Sequence, residues 1–186
     1  MPRYNNKELI LNQMSFSGQD DYNNDIKPDQ TCMPLPDAIS SLDWIGNNMG
    51  NMFACTCWDG TIRVYEVVNA GYSSSISQKI NAKAKNPLTK CVWSQDCQNI
   101  YVGDVTGLIQ AFNVQTQQFV DIGKHNAAIS ALHVVPGQNI IISGAFENNV
   151  YFWQPGNAQP VFTIDMGNKV FCSDFAYPIL LTGLAN

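Results

Sequence analysis

Charge is what this chain has least of. Only 13% of its 186 residues are charged, about half the usual share, and ten basic side chains face fifteen acidic ones. The resulting net charge of -5 argues against a general affinity for nucleic-acid backbone, which needs a basic surface. Long apolar runs are missing as well. No segment approaches the roughly eighteen residues of a membrane span, and the opening MPRYNNKELILNQMSF lacks a signal-peptide core. No Asn-x-Ser/Thr acceptor occurs. The six cysteines, at 32, 55, 57, 91, 97 and 172, lie scattered among apolar residues rather than in a disulfide framework. Together these absences predict a soluble intracellular chain in a reducing compartment.

What is present divides unevenly. Residues 1–36 are rich in Asn, Asp, Gln and Pro and offer little apolar surface to offset ordering, so an extended, partly disordered lead-in is expected there. Within it, Asp21, Asn23 and Asp25 imitate the start of a calcium loop. The imitation fails at Ile26, where a turn glycine is needed, and at Cys32, where a bidentate Glu is needed. Lys79, Lys83, Lys85 and Lys90 cluster in a segment that reads as a solvated connector. Cys55 and Cys57 stand two apart on an expected strand without C-x-x-C spacing, so they read as buried strand residues and no metal ligands are assigned.

Residues 37–186 repeat. AISSLDW from Ala38, PLTKCVW from Pro87, AAISALHV from Ala127 and KVFCSDF from Lys169 align, bringing Ile39, Leu88, Ile129 and Val170 into register at spacings of 49, 41 and 41 residues. Leu42, Cys91, Leu132 and Ser173 then fall together, followed by Trp44, Trp93, Val134 and Phe175. A second set aligns Asp59, Thr106 and Glu147, then Gly60, Gly107 and Asn148, then Tyr65, Phe112 and Trp153. Each unit holds short runs rich in Val, Ile and aromatics broken by DG, TG or NN, where Gly or Asn supplies the positive torsion of a hairpin turn. Four short strands per unit of about 40 to 45 residues describe one blade of a β-propeller. The fold is therefore expected to be all-β, about three and a half blades of seven, the fourth unit reaching only its first strands. An array of that kind leaves strand edges to be covered, so the expectation is that a second polypeptide completes the propeller or that this chain is only part of the functional protein.

CWDGTIRVYEV resembles the end of a WD repeat, and GKHNAAISAL resembles the Gly-His element that opens the next. In such repeats a loop His, a strand Ser or Thr, a turn Asp and a strand Trp form a buried network. The resemblance places His125, Ser143 and Trp153 in one network, with Glu147 standing where Asp is expected. It leaves Asp59, Gly60 and Tyr65, then Gly107 and Phe112, as weaker structural positions held by core packing. Across residues 37–186, DAISSLDW, CVWSQD, ISGAFENNVYFW and KVFCSDFAYPILLTGLA are similar in order and spacing to the mRNA-export WD-repeat nucleoporins, close relatives of the mitotic checkpoint WD-repeat protein.

That resemblance implies a non-enzymatic scaffold of the nuclear pore, in nucleus and cytoplasm, docking on a GLEBS-bearing Phe-Gly nucleoporin without a cofactor. A mitotic checkpoint adaptor reading kinetochore peptide motifs is the alternative, and a direct RNA contact is left open. In the resembled families, aromatics at the places of Trp58 and Phe146 help form a peptide-binding face. Both precede the turn acid, near one rim and free of the sheet ladder, where large rings bury much area at low entropic cost. A catalytic reading of His125 would need a nucleophile and an orienting acid set in a cleft, and the repeat position supplies a structural task instead. His133 lies in a strand with no partner evident.

Overall fold

Alternation of β-branched and aromatic residues between turn residues produces a run of antiparallel hairpins. The computed structural model describes residues 10–11, 30–31, 35–46, 50–70 and 73–185. Most of the lead-in, including the Asp21–Asp25 imitation and Cys32, lies outside the described residues. Within the lead-in, β1 (Ile10–Leu11) pairs antiparallel with β2 (Gln30–Thr31).

The first blade comprises β3 (Ile39–Trp44), β4 (Met52–Cys57), β5 (Thr61–Ala70) and β6 (Ser73–Lys83). The second comprises β7 (Leu88–Trp93), β8 (Asn99–Asp104), β9 (Leu108–Asn113) and β10 (Phe119–Lys124). The third comprises β11 (Ile129–Val134), β12 (Ile141–Ala145), β13 (Asn149–Trp153) and β14 (Phe162–Asp165). A fourth sheet holds two strands, β15 (Val170–Ala176) and β16 (Ile179–Leu184). All pairings are antiparallel between neighbours in sequence, so the chain is an all-β array of three whole blades and part of a fourth. Lys79 and Lys83 lie on β6 and Lys90 on β7, which corrects the reading of the lysine cluster as a connector: strand alternation there is masked by polar residues. Lys79 pairs with Glu66 across the β5–β6 ladder at 2.7 Å.

The inner strands β3, β7, β11 and β15 lie side by side, and between them the blades bury their cores. One cluster joins blades 1 and 2 through Ala54, Ile62, Val64, Leu88, Trp93 and Ile100. Another joins blades 2 and 3 through Tyr101, Ile109, Ile129, Leu132 and Trp153. A third brings Ala131, Ile142 and Val150 against Val170 of the last sheet. Alternation sends one inner-strand residue forward and the next one back, so each junction pairs a forward side chain with a backward one. Asp43 meets Trp93, whose amide donates to Asp43 Oδ2 at 2.7 Å and whose indole Nε1–H donates to the Asp43 carbonyl at 3.2 Å. Val92 and Val134 share the second apolar cluster. His133 stands over Phe175, ring centroids 6.0 Å apart, and its Nε2 lies 2.6 Å from Ser173 Oγ. His133 thus has a partner that its own strand could not reveal.

Gly60 and Gly107 turn at φ 84° and 87°, and a Cβ on Gly107 would lie 2.5 Å from the His125 carbonyl oxygen. Asn148 aligns with them but has no positive φ, so blade 3 closes its turn without the torsion expected of Asn. Gly123 has a different task. A Cβ there would come within 2.2 Å of the Trp153 ring, which is buried and cannot swing away. Gly123→Ala is expected to lower stability by about 1–3 kcal/mol through overpacking, read as a lower urea midpoint with an unchanged slope.

Candidate functional site

In each blade the turn between the second and third strands sits beside the loop that enters the first. The amides of Trp58, Val105 and Phe146 donate to the carbonyls of Ala38, Pro87 and Ala128 at 3.0, 3.1 and 3.0 Å. Ala84, His125 and Met166 in turn donate to Gly60, Gly107 and Asn148. These bonds gather the turns and loops into one rim. Trp58 and Phe146 follow the last residues of β4 and β12 and so stand off the sheet ladder; these loop bonds engage their amides, and the side chains project. Trp58 is 46% exposed and Phe146 40%. Phe146 is joined by Phe171 of β15, which the sequence reading did not single out, at a centroid distance of 5.3 Å and 62°.

Under the rim of blade 3 lies a buried polar tetrad. His125, 1% exposed, places Nδ1 2.6 Å from Glu147 Oε1 and Nε2 2.6 Å from Ser143 Oγ. Trp153 Nε1–H donates to the same Ser143 oxygen at 2.7 Å, and the amide of Asn126 donates to Glu147 Oε2 at 3.2 Å. With Nδ1–H donating to the carboxylate, Nε2 accepts from Ser143, and every polar atom has a partner. The additional methylene of Glu147 is accommodated because it reaches both the ring and the loop amide. Burial lowers the pKa of His125 from its ordinary value despite the raising effect of Glu147, so the imidazole is neutral at neutral pH.

The aligned positions in the other blades are apolar. Leu35, Cys55 and Tyr65 pack together in blade 1, where His125, Ser143 and Trp153 stand in blade 3. Ala84, Val102 and Phe112 do the same in blade 2. The turn carboxylates persist. Asp59 accepts from the Thr61 amide and hydroxyl at 2.8 and 2.6 Å and lies 3.8 Å from Arg63. Burial alone would raise its pKa, but Thr61, Arg63 and Lys83 bring it below the usual value. In blade 2 the acceptor is Asp104, not the aligned Thr106. Asp104 Oδ1 receives the Thr106 amide and hydroxyl and the Leu108 amide at 2.7, 2.8 and 2.9 Å, and Oδ2 receives Asn86 at 2.7 Å. The carboxylate has moved two residues toward the N-terminus while it still accepts from the amide and hydroxyl of the Thr two residues on.

Cys55 and Cys57 are both buried. Arg63 Nη1 lies 3.3 Å from Cys57 Sγ, and the Cys55 thiol, Thr61 and Arg63 hold Cys57 below its usual value, while Cys55 is pushed up by its bond to Cys57 and by burial. Among the described residues no three His, Cys, Asp or Glu side chains converge as a metal site, and no helix is long and apolar enough to cross a membrane. Electrostatically the rim is asymmetric. Glu147, Asp59 and Asp104 are spent on internal bonds, and Asp37 and Asp165 accept from their own loop amides, whereas Lys83, Lys85, Lys124 and Lys169 are exposed around it.

Repeated four-stranded blades with a His-Ser-Trp network and carboxylate turns define a WD-repeat β-propeller array. A WD domain, G-beta repeat, matches residues 31–66. The chain's relatives are mRNA-export WD-repeat proteins, with checkpoint proteins close beside them. It is 23% identical to Protein Rae1 of Drosophila melanogaster over 84% of the chain and 45% of that protein. To the Poly(A)+ RNA export protein of Schizosaccharomyces pombe it is 24% identical over 95% and 50%. To the mitotic checkpoint protein bub-3 of Caenorhabditis elegans it is 25% identical over 84% and 46%. The chain thus spans about half the length of the curated relatives it matches. Among solved structures, a chain of the Mitotic Checkpoint Complex superposes with a TM-score of 0.68 at 18% identity, over 83% of this chain and 48% of that one.

Two outcomes follow from the tetrad. Ser143→Ala leaves His125 Nε2 and Trp153 Nε1 buried without a partner and is expected to cost about 1–3 kcal/mol, measured by urea denaturation. His125 and His133 are both lowered from their ordinary value, chiefly by burial, so the unfolded chain takes up protons first as pH falls. Stability is therefore full above the ordinary imidazole pKa of about 6.5 and is lost as pH drops through the lower folded values. The urea midpoint should fall between about pH 7 and pH 5, less steeply in His125→Gln and His133→Gln.

Proposed function

We propose that the chain is a non-enzymatic protein-binding scaffold of the nuclear pore in mRNA export, working in nucleus and cytoplasm, and that its rim docks on a GLEBS-bearing Phe-Gly nucleoporin through Trp58 and Phe146. The observation that carries the reading is the projection of these two aromatic side chains from a rim whose turns and entry loops are tied together by backbone bonds. Rigid rings on a fixed frame bury area with little entropic cost. The exposed lysines beside them, set against internally bonded carboxylates, favour an acidic partner segment. The export role draws on relatives whose names state RNA export. Adaptor function in the mitotic checkpoint is the second reading, favoured by the bub-3 relative and by the Mitotic Checkpoint Complex superposition.

Titration with a synthetic GLEBS hairpin and, separately, a phosphorylated kinetochore peptide distinguishes the two. Micromolar or tighter binding of the hairpin, weakened about tenfold or more by Trp58→Ala and by Phe146→Ala, is expected. Binding of the phosphopeptide alone would transfer the chain to the checkpoint reading.

A further inference from the structure

At the end of the blades opposite the aromatic rim, the loops joining first to second strands enclose a cleft between blades 2 and 3. Its walls come from the β7–β8 loop, residues 94–98, and the β11–β12 loop, residues 135–140, and its volume is about 320 Å³. That is at the lower end of the range in which proteins hold small groups. Blades 2 and 3 are whole, and each packs on a further sheet at its outer side, so the cleft is formed entirely within the array.

Tyr101 of β8 makes the floor. It belongs to the apolar cluster that joins the two blades and is only 5% exposed, yet its hydroxyl has no hydrogen-bond partner among the described residues. Every fully enclosed side-chain oxygen among those residues is paired, so the Tyr101 hydroxyl is unpaired because it opens into the cleft. Burial and the Asp96 charge raise the Tyr101 pKa, which keeps the hydroxyl protonated at neutral pH.

Asp96 stands at the exposed mouth. Its Oδ1 accepts from the Ser94 hydroxyl at 2.5 Å and from the Gln98 amide at 3.1 Å, whereas Oδ2 has no donor among the described residues. Across the opening, the Gly137 amide donates to Gln95 Oε1 at 2.9 Å and ties the two loops together. A cleft whose walls are already joined loses little freedom when it is filled. Val134, Ile140 and Ile141 supply an apolar side, and no basic side chain lines the cleft.

One fixed carboxylate, a tyrosine oxygen beneath it and an apolar wall suit a cation carried on an aliphatic stem. Guanidinium fits better than ammonium, because its planar fork donates to two separate oxygens at once and it gives up its hydration more readily. An anion would meet Asp96 with no cation to offset it. Free arginine is matched only in part, since its α-carboxylate would also find no basic group. We propose that the cleft between blades 2 and 3 is a docking site for an arginine side chain of a partner protein segment, received by Asp96 and Tyr101. It lies at the opposite end from Trp58 and Phe146 and does not rest on the partner assigned to the rim.

Titration of the isotope-labelled full chain with N-acetyl-arginine methylamide, followed through backbone amide shifts, tests the proposal. Saturable binding with a Kd of about 1 mM is expected, with the shifts concentrated in residues 94–98 and 137–141. The citrulline counterpart keeps the shape and loses the charge, and should bind about tenfold more weakly; the lysine counterpart should bind about threefold more weakly. Asp96→Asn retains the Oδ1 acceptor and removes the charge, so it should weaken arginine binding about tenfold. Tyr101→Phe removes only the hydroxyl and should weaken it about threefold. Free arginine should bind no more tightly than the blocked form. Absence of saturation at about ten times the expected Kd, citrulline or lysine binding as tightly as arginine, indifference to either substitution, or tighter binding of free arginine would each overturn the proposal. Should a variant fail to fold, Asn139→Lys places a competing cation at an exposed position of the mouth and should weaken binding about tenfold; an unchanged Kd there would overturn it equally.

Discussion

Packing between inner strands is the interaction on which the rest of the chain depends. A four-stranded antiparallel sheet of this kind has apolar residues on both faces, and a single blade cannot cover either one. Blade 2 solves this by lying between blades 1 and 3, so that Phe112, Ile100 and Leu88 are fully enclosed on one side and Ile109 on the other. The rim follows from the same arrangement. Once the inner strands are stacked, the hairpin turns and entry loops are brought together at one end, and their backbone bonds hold Trp58 and Phe146 outward.

Within that frame the blades are stabilised by different means. Blade 3 spends four polar side chains on a closed network, whereas blades 1 and 2 fill the same space with Leu35, Cys55 and Tyr65 or with Ala84, Val102 and Phe112. Both solutions leave no buried polar side-chain atom unpaired among the described residues. A turn carboxylate is common to all three: in blades 1 and 2 it accepts from the amides of its own turn, and in blade 3 from the ring and amide of the entry loop.

The repeat was legible in the sequence because packing demands residues of the same kind at the same interval. Ile39, Leu88, Ile129 and Val170 all start an inner strand, and their register could be read without coordinates. The pieces that escaped are those for which charge is visible but burial is not. Arg63 lies inside TIRVYEV as an apparent surface residue, yet it is 5% exposed and bonded to Cys57. Asp104 is hidden in the sequence because alignment on the turn glycine sets Thr106, not Asp104, opposite Asp59. Asp43 and His133 act across a junction, and a partner forty or fifty residues away leaves no trace in local pattern. At the rim, Trp58 and Phe146 could be picked out by their place before the turn, but Phe171 could not, since it comes from another sheet.

The tetrad of blade 3 also constrains how this chain can drift. Replacing His125 by the Ala or Leu of its sister blades takes away the partner of the Ser143 hydroxyl and of Glu147 Oε1, and replacing Ser143 first strands the ring and the indole. Each single step passes through a less stable chain, although the apolar end state is plainly viable two blades away. Substitutions at these four sites are thus epistatic: the network persists as a block or is exchanged as a block, and blades that once lost it have little route back.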